Sequence, residues 1–257
     1  ILEYMLLPGE PSMVIRSYLV KEGTAPSAEI HEPTDITGEW NYTHIRPNDT
    51  QKYSGIFNTT LQQGSIFTGE LEFPEEDGSI LELKVKGIIG TDNNLYALAD
   101  NDALYIGSIG SNDEIHVVVV HPGDEDGTFV VDRWMTRDGK SSDKAPDYPD
   151  ISGAWNITAR TTIQNGTITH PGAQDAEWVV NSKSSGPFFT LTRYSDDPVT
   201  PPVIDVQGVF FEKGAFLASG GPTYVMYHFP DDDTIEAIVM KRDGESMMYL
   251  DTLKRSE

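Results

Sequence analysis

An internal duplication constrains the fold more than any other feature of the sequence, because two copies of one pattern must each form the same structural unit. Asp35-Ile36-Thr37-Gly38-Glu39-Trp40-Asn41-Tyr42-Thr43 recurs as Asp150-Ile151-Ser152-Gly153-Ala154-Trp155-Asn156-Ile157-Thr158, with seven of the nine positions identical or conservative. Further along, Lys86-Gly87-Ile88-Ile89 is answered by Gln207-Gly208-Val209-Phe210, and Asn112-Asp113-Glu114-Ile115 by Asp232-Asp233-Thr234-Ile235. The copies close on Val131-Asp132-Arg133-Trp134-Met135-Thr136-Arg137 and on Leu250-Asp251-Thr252-Leu253-Lys254-Arg255. This divides the chain into an N-terminal extension (1–34), a first domain (35–137), a turn-rich charged linker (138–149) and a second domain (150–257).

Neither copy holds a long segment with a 3.6-residue apolar period. Both hold many short β-branched and aromatic runs, such as 81–85, 115–120, 188–191 and 235–239, split by turns such as Glu76-Asp77-Gly78, Asp126-Gly127 and Asp243-Gly244. The expected fold is all-β: two tandem repeated antiparallel β-barrel or β-sandwich domains, preceded by an N-terminal extended strand. That strand covers Ser12 to Val20, with Met13, Val14, Ile15, Tyr18, Leu19 and Val20 as its apolar side chains, after a Pro8-Gly9 break. A lone apolar strand needs a partner edge, either in its own domain or in a neighbouring subunit. Val117, Val118, Val119 and Val120 are apolar on both faces of one strand, so cover is expected on both sides. Ile238-Val239-Met240 lies at the matching place in the second copy, and the same expectation extends to it.

The net charge of -23 and the pI near 4.4 argue against nucleic acid and anionic membrane surfaces, both of which need clustered Lys and Arg. The absence of cysteine rules out disulfides, thiolate metal sites and thiol nucleophiles. No run approaches the ~20 apolar residues of a membrane helix, so no membrane span is expected. The chain begins with Ile1 rather than Met, as a processed mature form would.

Five N-x-[ST] acceptors, at Asn41, Asn48, Asn58, Asn156 and Asn165, point to an extracellular glycoprotein. Asn41 and Asn156 fill the same slot of the two repeats. Acidic turns at Asp100-Asn101-Asp102, Asp124-Glu125-Asp126 and Asp231-Asp232-Asp233 offer hard oxygen ligands suited to calcium, although none follows an EF-hand loop and solvated turns account for them equally well. No other cofactor is expected. Nucleophile-elbow, zincin, dinucleotide and Walker patterns are absent, and the six histidines show neither metal-ligand spacing nor repetition between the copies. No catalytic residue is assigned, and the chain is read as a non-enzyme. An extracellular hydrolase would need two carboxyl groups in one cleft.

Two resemblances follow from these motifs. The Gly-x-Trp start, Gly38-Glu39-Trp40 and Gly153-Ala154-Trp155, resembles the first strand of calycin barrels, the lipocalin and avidin group, and implies a Trp plugging one barrel end. Trp40 and Tyr42, like Trp155 and Ile157, would then point inward, and Asn41, Thr43, Asn156 and Thr158 outward. The first copy as a whole, with Gly64-Ser65-Ile66-Phe67-Thr68-Gly69, Gly87-Ile88-Ile89-Gly90, Ser111-Asn112-Asp113-Glu114-Ile115 and its Arg-Trp-Met-Thr-Arg end, resembles exported β domains of methanogenic archaea. The second departs in the middle, where Ser185-Gly186-Pro187-Phe188-Phe189-Thr190 is a loose counterpart and Phe211 replaces a glycine. This resemblance implies a cell-surface location and a sheath, surface-layer or filament role, and supplies no enzymatic activity.

The leading expectation is an extracellular subunit that polymerises with copies of itself and contacts other surface proteins or glycans, through spare β edge and apolar face at the N-terminal strand and at the four consecutive valines. The alternative is a barrel module that holds a small ligand or carbohydrate, lined by Trp40, Tyr42, Trp155 and Trp178. A large internal pocket would favour the alternative.

Overall fold

In a computed structural model, the described residues are 2–7, 13–18, 33–47, 51–74, 78–90, 93–110, 113–124, 127–137, 148–174, 176–182, 186–195, 203–211, 214–219, 223–241 and 247–256, and their regular elements are all strands. The chain divides into two compact units.

The first unit opens with β1 (Leu2–Leu7) and β2 (Met13–Tyr18), paired antiparallel from Leu2↔Tyr18 to Leu7↔Met13 as a separate two-stranded sheet, with β2 beside β6. This corrects the expectation of one extended strand. The apolar run before the Pro8-Gly9 break is itself a strand, so the partner edge of β2 lies in the same chain. Leu19 and Val20 fall outside the described residues.

The first repeat forms β3 (Gly38–Ile45), β4 (Tyr53–Gln63), β5 (Ile66–Pro74), β6 (Ile80–Ile89), β7 (Asn94–Ala99), β8 (Leu104–Ile109), β9 (Glu114–Asp124) and β10 (Gly127–Thr136). Consecutive strands pair as antiparallel neighbours, and β10 returns to β3 through Asp132↔Ile45 to Thr136↔Asn41, closing an eight-stranded barrel. A closed ring has no edge, so the ring β3–β10 itself offers no unpaired strand for β-addition.

The second repeat forms β11 (Gly153–Gln164), the short β12 (Thr167–Thr169), β13 (Ala176–Ser182), β14 (Phe188–Ser195), β15 (Val203–Phe211), β16 (Gly214–Ser219), β17 (Thr223–Asp231), β18 (Thr234–Lys241) and β19 (Met247–Arg255). Its sheet is barrel-like: β11 pairs with β13 through Gly153–Asn156 and with β19 through Trp155–Gln164, so the ladder returns to its first strand. β12 hydrogen-bonds to the far end of β11.

Two-residue alternation sets the interiors. Along β3, Trp40, Tyr42 and His44 are buried and Asn41, Thr43 and Ile45 are half-buried on the other face. Along β11, Trp155 and Ile157 are buried and Asn156 and Thr158 exposed. Trp40 Nε1 donates to Ile36 O at 2.8 Å, and Trp155 Nε1 to Ile151 O at 3.0 Å, so each indole is held by the chain that enters its barrel. Gly38 and Gly153 have φ of +99° and +121°, which explains the glycine two residues before each Trp. The middle motif also matches in space, since Phe67 pairs with Gly87 and Phe189 with Gly208. A Cβ on either glycine would lie 2.2 Å from the facing Phe Cζ.

Candidate functional site

Among the described residues, the interior of the second barrel holds a packed cluster of apolar side chains. Trp155, Trp178, Phe189, Leu191, Tyr227 and Leu253 leave a void of about 10 Å³, a volume on the scale of one water. Trp178 packs edge to face against Tyr227 at 6.1 Å between centroids. On the ligand-holding expectation, Trp155 and Trp178 are therefore core residues of this barrel. At mid-barrel, fully buried Asp251 receives Arg160 Nε at 2.6 Å on Oδ1 and Nη2 at 2.6 Å on Oδ2, a two-point ion pair inside the wall. Burial pushes the Tyr227 hydroxyl well above the ordinary phenol range, and the Asp251 charge adds to the shift.

The outer wall of the same barrel carries the feature that most needs explanation. Outward positions alternate along each strand, and the register aligns Ile168 with Ile163, Ile163 with Met248, and Met248 with Met240 across β12, β11, β19 and β18. The next outward row aligns Thr161 with Leu250, Leu250 with Ile238, and Ile238 with Met226. These two rows hold no charged residue in a chain of net charge -23. Ile168 is 60% exposed and Leu250 49%, and Ile163, Met226, Met240 and Met248 are also exposed. The register thus gathers these exposed apolar side chains into one contiguous patch, the kind of surface where interaction sites occur. The rim is polar, with His228 Nδ1 3.4 Å from Glu236 Oε2.

The first barrel is different at the corresponding place. Val117, Val118, Val119 and Val120 are all buried, as the two-sided apolar pattern requires, so the outward pair Val118 and Val120 is covered. Their counterparts Ile238 and Met240 are half-buried and exposed, which corrects the expectation that both copies bury this face. Beside the valines, His116 stacks on Trp134 at 3.9 Å, and its Nε2 lies 2.5 Å from Asp132 Oδ1. Asp132 Oδ2 also accepts Trp134 Nε1 at 3.2 Å.

The sequons fall on walls and turns. Asn41 lines an open groove of about 450 Å³ on the first barrel with Thr43, Ser54, Glu72 and Trp134, and its Nδ2 donates to Arg137 O at 3.3 Å. Asn156, in the same slot of the second repeat, donates to Ser256 Oγ at 2.8 Å. Asn58 is half-buried on β4, and Asn165 is exposed at the β11–β12 turn with φ of +49°. Asn48 lies outside the described residues. Met13, Val14, Ile15 and Tyr18 lie on β2, in the N-terminal hairpin. Two acidic turns make local turn contacts: Asn101 Oδ1 accepts Ala103 N, and Asp231 Oδ1 accepts Asp233 N. Among the described residues no group of three or more His, Asp or Glu gathers as a metal site. Among them, too, no helix is long and apolar enough to cross a membrane, which bears on helical spans alone.

Sequence reading missed three arginines. Arg137 and Arg255 lie over Trp40 and Trp155, with guanidinium carbons 4.2 and 4.6 Å from the ring centroids. Arg133 is buried inside the first barrel. The matched placement of Arg137 and Arg255 at the ends of the two closing segments was the available signal for those two; Arg133 has no arginine counterpart in the second copy.

No family model and no curated protein matches the sequence. Among solved structures, the chain is similar to a protein of unknown function from the DUF3598 family of Nostoc punctiforme, at 11% identity and a TM-score of 0.36, over 86% of this chain and 96% of that one. It is also similar to transferrin binding protein B from serogroup B Neisseria meningitidis, at 8% identity and a TM-score of 0.30, over 80% and 66%. A porin-like protein from Bacteroides uniformis is matched at 9% identity and a TM-score of 0.18, over 87% and 98%.

Proposed function

We propose that the protein is a non-enzymatic extracellular subunit that assembles with copies of itself into a surface coat, sheath or filament. The observation that carries this reading is the charge-free apolar wall formed by Ile163, Ile168, Met226, Met240, Met248 and Leu250. In so acidic a chain, like-charge repulsion opposes contact almost everywhere, and a wall without charge is where a second copy can approach. The first barrel supplies the comparison, because there the equivalent outward residues are covered. A smaller apolar spot, Leu61 and Ile66 at the β4–β5 end, is exposed on the first barrel. Contact between two different patches is heterologous and propagates, whereas one self-complementary patch closes a dimer. The five sequons and the acidic composition support the extracellular setting and the glycoprotein reading.

Sedimentation across a concentration series tests the proposal. The full chain is expected to form dimers and larger species, and Met248→Glu with Leu250→Glu to remain monomeric with an unchanged melting profile. A wild-type chain that stays monomeric at about 100 μM, in a range where specific protein contacts are populated, would overturn it.

A further inference from the structure

On the outer wall of the first barrel, the register aligns Trp134 with Thr43, and Thr43 with Ser54, across β10, β3 and β4. The next row aligns Thr136 with Asn41, Asn41 with Ile56, and Ile56 with Glu72. Short side chains on β3 and β4 form the middle of this surface. The Trp134 indole stands on β10 to one side, and Pro74 and Ile80 on β5 and β6 to the other. That relief leaves the open groove of about 450 Å³, a size within the roughly 300–1,000 Å³ of ligand-binding clefts.

The indole is fixed from behind. His116 stacks on one face at 3.9 Å, Asp132 Oδ2 accepts Trp134 Nε1 at 3.2 Å, and Asp132 Oδ1 lies 2.5 Å from His116 Nε2. Trp134 nevertheless remains half-buried and borders the groove, whereas Trp40, Trp155 and Trp178 are buried in barrel interiors. Thr43, Ser54 and Glu72 add side-chain oxygens that have no hydrogen-bond partner among the described residues. The second repeat is built otherwise. Three residues before Arg137 and Arg255 stand Trp134 and Thr252, so the second copy has no ring at this place. Thr158, in the slot of Thr43, donates its hydroxyl to Thr252 O at 3.1 Å. One copy closes this hydroxyl on its own backbone, and the other leaves a hydroxyl and an aromatic ring side by side on a groove.

We infer that this outer groove binds a neutral pyranose saccharide, with one sugar ring against Trp134 and its hydroxyls bonded to Thr43, Ser54 and Glu72. A pyranose carries an apolar C–H face and a rim of hydroxyls, and the groove offers a flat aromatic body beside hydroxyl and carboxylate oxygens. No Lys or Arg lines it and Glu72 is its one charged residue, so a sugar acid or sugar phosphate would meet repulsion without a counter-charge. A wholly apolar ligand would strip water from the Thr43, Ser54 and Glu72 oxygens and leave them unpaired. Asn41 of the Asn41-Tyr42-Thr43 acceptor also lines the groove, so two sources supply such a saccharide: a glycan carried on Asn41 itself, or one carried by another molecule. The site uses no residue of the second barrel's apolar wall and stands or falls independently of assembly.

The test is a titration of the unglycosylated full chain with maltotriose, cellotriose, mannotriose, galactotriose and chitotriose, following the indole N–H signals. At least one trisaccharide is expected to move the Trp134 signal saturably while the signals of Trp40, Trp155 and Trp178 stay in place. Trigalacturonate should bind about tenfold more weakly or worse. Trp134→Thr, which installs the residue of the second repeat, and Ser54→Tyr, which fills the groove floor at an exposed position, should each weaken binding of that trisaccharide about tenfold or more by calorimetry. Ser54→Tyr should keep the wild-type melting profile. The inference is overturned if none of the neutral sugars gives a saturable shift up to about 20 mM, beyond the mM range of weak specific recognition. Equal binding of trigalacturonate, or unchanged binding by folded Ser54→Tyr, overturns it as well. The chain made in a glycosylating host assigns the source. Binding lost together with a glycan mass on the Asn41 peptide means that the protein's own glycan fills the groove, and binding retained means that the saccharide comes from another molecule.

Discussion

Arg137 lies over Trp40, 4.2 Å from its ring centroid, and donates from Nη1 to Thr37 O at 2.8 Å, tying the last strand of the first barrel to the chain that enters it. Arg255 does the same to Trp155 and Ser152 O, at 4.6 and 2.6 Å. Each arginine also faces an acid at the turn before the ninth or eighteenth strand, Asp113 at 3.5 Å and Asp233 at 3.6 Å. These exposed acid contacts contribute little. The carbonyl bond and the ring contact carry the effect, so Arg137→Met and Arg255→Met are each expected to cost about 1–3 kcal/mol in urea unfolding. Lysine at either position should recover less than half, because it cannot stack and bridge the entry chain together.

Gly87 and Gly208 are packing sites. An alanine Cβ would sit 2.2 Å from Phe67 Cζ or Phe189 Cζ. Gly87→Ala and Gly208→Ala are expected to destabilise by about 1–3 kcal/mol through overpacking. Phe67→Leu should relieve part of the Gly87→Ala cost, which a double-mutant cycle in denaturant reads as a coupling energy.

How far the sequence reaches can be seen residue by residue. The Gly-x-Trp starts are legible because a left-handed glycine and a plugging indole are local requirements, and both repeats meet them. The inward set Trp40, Tyr42, Trp155 and Ile157 follows from the Gly-x-Trp resemblance, which implies an inward Trp, with strand alternation extending it two residues on. Barrel closure is not local: it depends on Thr136 pairing with Asn41, nearly the length of the domain away, and a sandwich satisfies the same alternation. The N-terminal hairpin was hidden because Ile1 to Leu7 reads equally as a tail. The apolar wall was hidden more deeply, since Ile168, Ile163, Met248 and Met240 lie on four strands and only the register brings them into one row. For Ile238 and Met240 the pattern states that a face is apolar and is silent on whether anything covers it.

The Asp251–Arg160 pair makes the second barrel sensitive to charge deletion. Asp251→Ala leaves a largely buried guanidinium without its anion and is expected to cost about 3–5 kcal/mol. Replacing both partners, Asp251→Leu with Arg160→Met, removes both charges and should return to within about 2 kcal/mol of wild type. A double variant no better than the single would mean that the carboxylate matters through neighbours other than Arg160.

Tyr227 gives the fold a signature at high pH. Its hydroxyl is buried without a hydrogen-bond partner, and burial first, with the Asp251 charge second, holds its titration well above the ordinary phenol value of 10.0. In the unfolded chain the phenol ionises near that value, while in the fold it keeps its proton. The unfolded state therefore binds fewer protons than the native state above pH 10, and stability falls as pH rises through this range. The contribution is fully present below the unfolded value and is lost toward the folded one. Other tyrosines share the direction, so the test is a difference. Between pH 9 and pH 11, Tyr227→Phe should lose stability less steeply than wild type when both are unfolded in urea at each pH. Phenylalanine also removes an unpaired buried hydroxyl, so at neutral pH the variant should lie within about 1 kcal/mol of wild type. Parallel pH profiles would mean that the hydroxyl reaches solvent or an acceptor in the folded protein.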